Sequence, residues 1–143
     1  MTTRREAALQ ALAARLAAIP GVTVRRNDDK PATVPPGGLI IVHDGDPGVP
    51  EVSLSPPRYW WEHEAETQVI VHKAPQTART AALDELLGEI GAALAEDRTL
   101  GGAVSHCEPG APRPDEVAVD GATPIRGAVL SFILSYDTSD PLA

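Results

Sequence analysis

Tyr59-Trp60-Trp61-Glu62-His63-Glu64-Ala65-Glu66-Thr67-Gln68-Val69-Ile70-Val71-His72 is the stretch on which the fold turns. Under a period of two, Trp61, His63, Ala65, Thr67, Val69 and Val71 fall on one face. Trp60, Glu62, Glu64, Glu66, Gln68, Ile70 and His72 fall on the other. One face packs and the other carries three successive carboxylates, the pattern of an antiparallel strand with a wet, acidic side.

Working outward, Glu51 to Leu54 reads as a second strand, joined to the long one by the Ser55-Pro56-Pro57-Arg58 corner. Leu39-Ile40-Ile41-Val42 is an unbroken apolar run between Gly38 and Asp44-Gly45, which suits a strand buried on both faces. Val22 and Val24 alternate with Thr23 and Arg25 as a short half-buried strand. Asn27 to Gly38 holds three prolines and two glycines and reads as an ordered loop. Asp44 to Pro50 is turn chemistry throughout.

Two segments have helical spacing. In Thr3 to Ile19, Ala8, Leu9, Leu12, Leu16 and Ile19 form one apolar stripe, and Pro20-Gly21 ends it. Thr3 and Glu6 have the spacing of a reciprocal capping box. Ala7, Ala11, Ala14 and Ala18 keep this helix slim. Pro75-Gln76-Thr77 opens a second helix running to about Asp97 on Ala82, Leu83, Leu86, Leu87, Ile90, Ala93 and Leu94. Gly88 and Gly91 each weaken it by up to ~1 kcal/mol relative to Ala, which implies close packing against a neighbour. Beyond Leu100-Gly101-Gly102, Ala103 to Cys107 is a weak strand, Glu108 to Pro114 a Pro/Gly loop, Glu116 to Val119 a short strand, and Ala128 to Tyr136 a clear final strand. The expectation is α+β: a mostly antiparallel β-sheet packed against two α-helices, in a single domain over residues 1–143.

Composition narrows the partners. The chain has 143 residues, 43% of them hydrophobic and 22% charged, enough to fold on an aliphatic core without a staple. Twelve Lys and Arg stand against twenty Asp and Glu, a net charge of −8, which opposes a general phosphate-backbone binder; a small local basic patch stays open, since Arg25 and Arg26 sit together. No apolar run approaches the ~20 residues of a membrane helix, and Met1 to Arg5 lead into an amphipathic stretch rather than a signal-peptide core, so an intracellular protein without membrane partners is expected. Cys107 is the single cysteine, which excludes an internal disulfide and a multi-cysteine zinc site.

Four constellations carry chemistry-bearing residues. Glu62, Glu64 and Glu66, ~7 Å apart in steps of two, would hold a cation only with help from neighbouring strands, and a solvated face is the simpler reading. His63 points away from them. His43-Asp44-Gly45-Asp46 ends the buried run, where a His–Asp pair can orient a general base; the simpler reading is that Asp44 and Asp46 bond the turn backbone. His106 and Cys107, as strand neighbours, point to opposite faces, which works against a Cys–His nucleophile and favours a buried thiol. Tyr59, Trp60 and Trp61 gather three of the five aromatics at one strand start, so one Trp packs inside while the other is exposed or lies in a subunit interface, of which the interface is the preferred reading. No motif for a nucleophile elbow or a phosphate loop is present, and no cofactor or metal is expected.

The layout resembles the tail-terminator (minor tail) proteins of long-tailed phages, prophages and phage-like gene transfer particles. The matching features are the opening helix ending in Ile19-Pro20-Gly21-Val22, the central helix, and Gly127-Ala128-Val129-Leu130-Ser131-Phe132 through Tyr136-Asp137-Thr138. Leu39 to Pro50 is similar to related prophage tail-gene products, while the Pro-rich loop 27–37 departs from the family pattern. The resemblance implies a non-enzymatic homo-oligomer, a hexameric ring in the virion tail, assembled in the host cytoplasm. Its implied partners are the tail tube protein and the head–tail connector protein, with DNA only passing through the bore. On that reading Glu62, Glu64 and Glu66 line the lumen or a seam and Trp60 anchors a neighbouring subunit. The alternative is a small group-transfer enzyme with a pocket near His43 and Asp44, and a third reading is a stand-alone small-ligand or regulatory domain, a monomer or dimer with a pocket but no ring.

Overall fold

The computed structural model describes residues 2–28, 33–73, 75–115 and 125–143. Helix α1 (Arg4–Ala17) starts on Thr3, whose hydroxyl accepts from the Glu6 amide at 3.2 Å. The reciprocal half of the expected capping box is not made, because the Glu6 carboxylate turns to Arg26 at 3.0 and 3.3 Å. The helix stops two residues short of Ile19, and Ile19-Pro20-Gly21 turns the chain into β1 (Thr23–Arg26).

β1 pairs in parallel with β2 (Leu39–Val42), the one parallel pair among the described residues in a sheet otherwise antiparallel. The connection between them is residues 27–38, of which 33–38 are described. Its turn at Pro35–Gly38 lies so close to the α1–β1 turn that a Cβ on Gly37 would sit 2.1 Å from the Gly21 carbonyl oxygen. Val34 of this segment, with Ile125, packs on Leu39, Ile41 and Ile70, forming a small second core on the sheet face away from the helices. That cover explains why all four residues of β2 are buried.

β3 (Glu51–Ser53) and β4 (Arg58–His72) make a hairpin across the Leu54–Pro57 turn. β4 then pairs along fourteen positions with β7 (Ile125–Thr138), from Tyr59 opposite Thr138 to His72 opposite Ile125. This ladder is the spine of the molecule. α2 (Gln76–Glu96) lies with α1 over the face bearing Ile40, Val69, Leu130, Phe132 and Leu134, contributing Leu83, Leu86, Ile90 and Leu94. No helix of the described residues is long and apolar enough to cross a membrane.

Three local expectations are corrected. Gly88 and Gly91 lie off the buried stripe of α2, and a Cβ at either would meet nothing within 4 Å, so neither marks a close contact within the chain. The strand expected at Ala103 to Cys107 begins only at β5 (His106–Pro109), because the Asp97 carboxylate accepts from the Thr99 and Gly101 amides and holds the preceding residues as a turn. The expected loop Glu108 to Pro114 contains both the end of β5 and β6 (Arg113–Asp115), paired along the same side of β7. Pro109 and Pro114 are tolerated there because an outermost strand need not donate outward. The strand expected at residues 116–119, and part of the Pro-rich loop, lie outside the described residues.

Candidate functional site

The alternation in β4 places its side chains as the sequence predicts. Glu62, Glu64 and Glu66 are exposed on the open face, while His63, Ala65 and Thr67 are fully buried beneath the helices. Cross-strand neighbours of the carboxylates on β7 are Ser135, Ile133 and Ser131. Ser135 donates to Glu62 at 3.4 Å, and Glu66 makes a long contact at 3.9 Å with the exposed Arg113. Among the described residues, no group of three or more His, Cys, Asp or Glu side chains is arranged to hold a metal ion.

The aromatic cluster splits as the period requires. Trp61 is half-buried against the core and donates to the Thr138 hydroxyl at 3.0 Å. Trp60 turns outward, 50% exposed, with its indole N–H on Ser53 at 3.2 Å; Tyr59 is half-buried. Trp60, Val49, Glu51, Glu62 and Ser135 enclose a shallow cleft of about 420 Å³ on the open face. Val49, in its lining, is 95% exposed; on the same hairpin Leu54 is 77% exposed and Val52, which shares the Tyr59 face rather than the Trp60 face, 52%, so this segment gathers most of the exposed large apolar side chains among the described residues. Sequence reasoning found Trp60 and missed Val49, Val52 and Leu54. Their signal was an apolar alternation in a segment too short and too proline-bounded to reach the core.

The His43–Asp44 turn is built differently from expectation at one residue. Asp46 bonds the turn backbone, accepting from the Gly48 amide at 2.9 Å. Asp44 instead gives its carboxylate to side chains, Arg26 at 2.6 Å and Asn27 at 3.0 Å. The Arg26 guanidinium bridges Asp44 and Glu6, holding both carboxyls below their usual range and tying the start of α1 to the ends of β1 and β2. The basic doublet is thereby neutralised, since Arg25 pairs with Asp28 at 3.4 Å. His43 contacts the Gln68 side chain at 3.1 Å. Neither His43 nor Asp44 lines the cleft above, the 230 Å³ groove beside Lys73 and Leu86, or the 300 Å³ groove between the helices at Ile19 and Ala93.

The remaining nucleophile and histidines are structural in their surroundings. Cys107 is buried, and burial pushes its thiol up to about 11. His106 lies on the opposite face and pairs with Glu108 at 2.7 Å. His63 is fully buried between the Tyr136 hydroxyl, at 2.9 Å, and the Asp44 carbonyl. A carbonyl only accepts, so Nε2 carries the hydrogen and Nδ1 accepts from the phenol, which burial keeps protonated with its pKa pushed up to about 12. What stands exposed at one end of the sheet is an indole, aliphatic side chains and carboxylates. In comparisons with known proteins, no family model and no curated protein matches this chain.

Proposed function

We propose that this chain is a structural subunit of the tail-terminator type, a homo-oligomer that closes as a hexameric ring on the tail tube. In this role it ends tube polymerisation and offers the head–tail connector its joining surface. DNA passes only through the bore. The observation that carries the reading is the hairpin end of the sheet, where Val49 and Trp60 stand exposed on a carboxylate-lined cleft and Val52 and Leu54 are exposed on the same hairpin. Grouped apolar side chains with a polar rim mark a surface that another protein covers. Trp in such a position is the residue type that anchors interfaces. The acidic face suits a bore as well: Glu62, Glu64 and Glu66 repel a phosphate backbone, so DNA slides past without sticking.

The group-transfer alternative needs His43 and Asp44 free at a pocket; the Asp44 carboxylate is instead engaged by Arg26 and Asn27. The deciding experiment is light scattering of the purified chain across concentration, with negative-stain microscopy of the chain alone and mixed with tail tubes. A closed ring, or a monomer that closes on tube ends, supports the proposal. A concentration-independent monomer that ignores tubes refutes it. For the carboxylates, Glu62→Gln, Glu64→Gln and Glu66→Gln together should disturb assembly or DNA passage with the fold intact; normal infectious particles would remove that role.

A further inference from the structure

The two ends of the β4–β7 ladder carry opposite chemistry. One end is the hairpin, with its exposed apolar residues and the Glu51 and Glu62 carboxylates in the cleft. From Trp60 to His72 the strand runs about 40 Å, at about 3.4 Å per residue. At that far end Lys73 follows His72, and Arg126 of β7 stands opposite Val71. Arg79 donates to the Lys73 carbonyl at 3.2 Å, and Arg126 to the Thr80 hydroxyl at 3.5 Å. Both acceptors are neutral, and none of these three cations pairs with a carboxylate among the described residues. Elsewhere Arg58 is engaged by Asp137 and Arg26 by Glu6 and Asp44, while Arg5 lies near Tyr136 without a carboxylate partner among the described residues. In a chain of net charge −8, Lys73, Arg79 and Arg126 thus bring three positive side chains without a carboxylate partner among the described residues to one end, and an acidic, aromatic cleft sits at the other.

We propose that the hairpin cleft receives the Lys73–Arg79–Arg126 end of a second copy of this chain, so that copies join head to tail. This rests on the ring reading above and names its seam. The two surfaces are different patches of one chain, so the contact is heterologous, the kind that closes into a ring when its rotation permits. A guanidinium of the incoming copy lies over the exposed face of Trp60, with Glu51 and Glu62 beside it. The groove of about 230 Å³ beside Lys73, lined by Pro20, Val71, Ala82 and Leu86, takes the aliphatic tip of the hairpin. Glu85 and Glu89 occupy the helix side of that groove and repel the acidic cleft, so the copies can meet only with the cleft toward Lys73. Glu62 then belongs to the seam, leaving Glu64 and Glu66 to face the bore.

The test is complementary charge reversal, read by sedimentation velocity at several concentrations and two salt levels. One chain carries Glu51→Arg with Glu62→Arg, and the other Lys73→Glu with Arg126→Glu. Thermal unfolding of each checks the fold, and Glu51→Gln with Glu62→Gln serves as the milder variant if reversal unfolds the chain. The wild type should associate, less so at high salt. Each reversed chain alone should associate on the order of a hundredfold more weakly. An equimolar mixture should recover assembly, and only with copies alternating, so in even-numbered rings. A wild type that stays monomeric, reversed or milder variants that associate as the wild type does, or folded reversed chains that ignore each other when mixed would each overturn the proposal. Head-to-tail oligomers that do not cap tail tubes would leave this contact standing and refute the terminator reading. Tube capping by the reversed chains would do the opposite.

Discussion

Replacing His63 by leucine is the sharpest probe of how the interior is built. The imidazole is fully buried and both ring nitrogens are engaged, Nδ1 with the Tyr136 hydroxyl at 2.9 Å and Nε2 with the Asp44 carbonyl. Leucine matches the ring approximately in volume, so the cavity it leaves is small. What it cannot do is hydrogen-bond. The Tyr136 hydroxyl, on a residue 3% exposed, and the Asp44 carbonyl both lose their partner. A buried polar group left unpaired costs about 1–3 kcal/mol. The Asp44 carbonyl is only partly buried and recovers some solvent, so we set the sum at about 2–4 kcal/mol.

Tyr136→Phe removes one side of the same bond and should cost about 1 kcal/mol. In the double variant the phenol is no longer present to be orphaned, so the two losses should fall short of additive by about 1 kcal/mol. Urea unfolding of the four chains measures this, provided the slope with denaturant stays constant. In a thermal melt the single His63→Leu change corresponds to a loss of roughly 6–12 °C for a chain of this size. A cost under about 0.5 kcal/mol, or strict additivity with Tyr136→Phe, would refute the account, because a buried network must couple its members.

The Arg26 clamp predicts an acid limb. Arg26 depresses the carboxyl pKa of both Glu6 and Asp44, so its contribution is complete above their unfolded values, near pH 4, and is lost as pH falls through the lowered folded values. Arg26→Met should cost about 1 kcal/mol at pH 7, and the difference from wild type should vanish once both carboxyls are protonated; a gap unchanged between pH 7 and pH 2 would sink the idea. Gly45 has φ +68° and a Cβ there would lie 1.9 Å from the Glu64 carbonyl oxygen, whereas Gly101, with φ +73°, faces open space. Gly45→Ala should therefore cost about 2 kcal/mol or more and Gly101→Ala only about 1, measured by chemical denaturation; equal costs would refute the steric argument. With its thiol raised to about 11 by burial, Cys107 should resist a disulfide reagent at pH 8 until denaturant opens the core, and rapid labelling of the native chain would contradict its placement.

What the sequence discloses depends on how local the governing interaction is. β4 is legible because each of its residues repeats the same choice of face every second position, and both helices are legible because their stripes repeat within a turn. β5 and β6 are not, since their pairing is imposed by the long side of β7 and their own residues, two prolines among them, argue against a strand. The Arg26 clamp is equally hidden. Its partners Glu6 and Asp44 lie 20 and 18 residues away, and the signal that is visible, Thr3 to Glu6, suggested a different use for the same carboxylate.

The candidate surface shows the same division. That Trp60 faces outward follows from alternation alone, because Trp61 takes the inner position and the pleat leaves no other choice. That Val49 lines a cleft with it, and that Val52 and Leu54 are exposed on the same hairpin, does not follow, since alternating valines read equally well as the edge of a core. They become informative only once β3 is seen to pair with β4 at Glu51 to Ser53, at the very end of the β4–β7 ladder, where the helices contribute nothing to cover it. Periodicity states which side of a strand is apolar, whereas the exposed hairpin arises from a pairing that ends where the core ends. The same hairpin then turns a composition with no catalytic signature into a specific expectation, that a second protein surface, rather than solvent, meets Trp60.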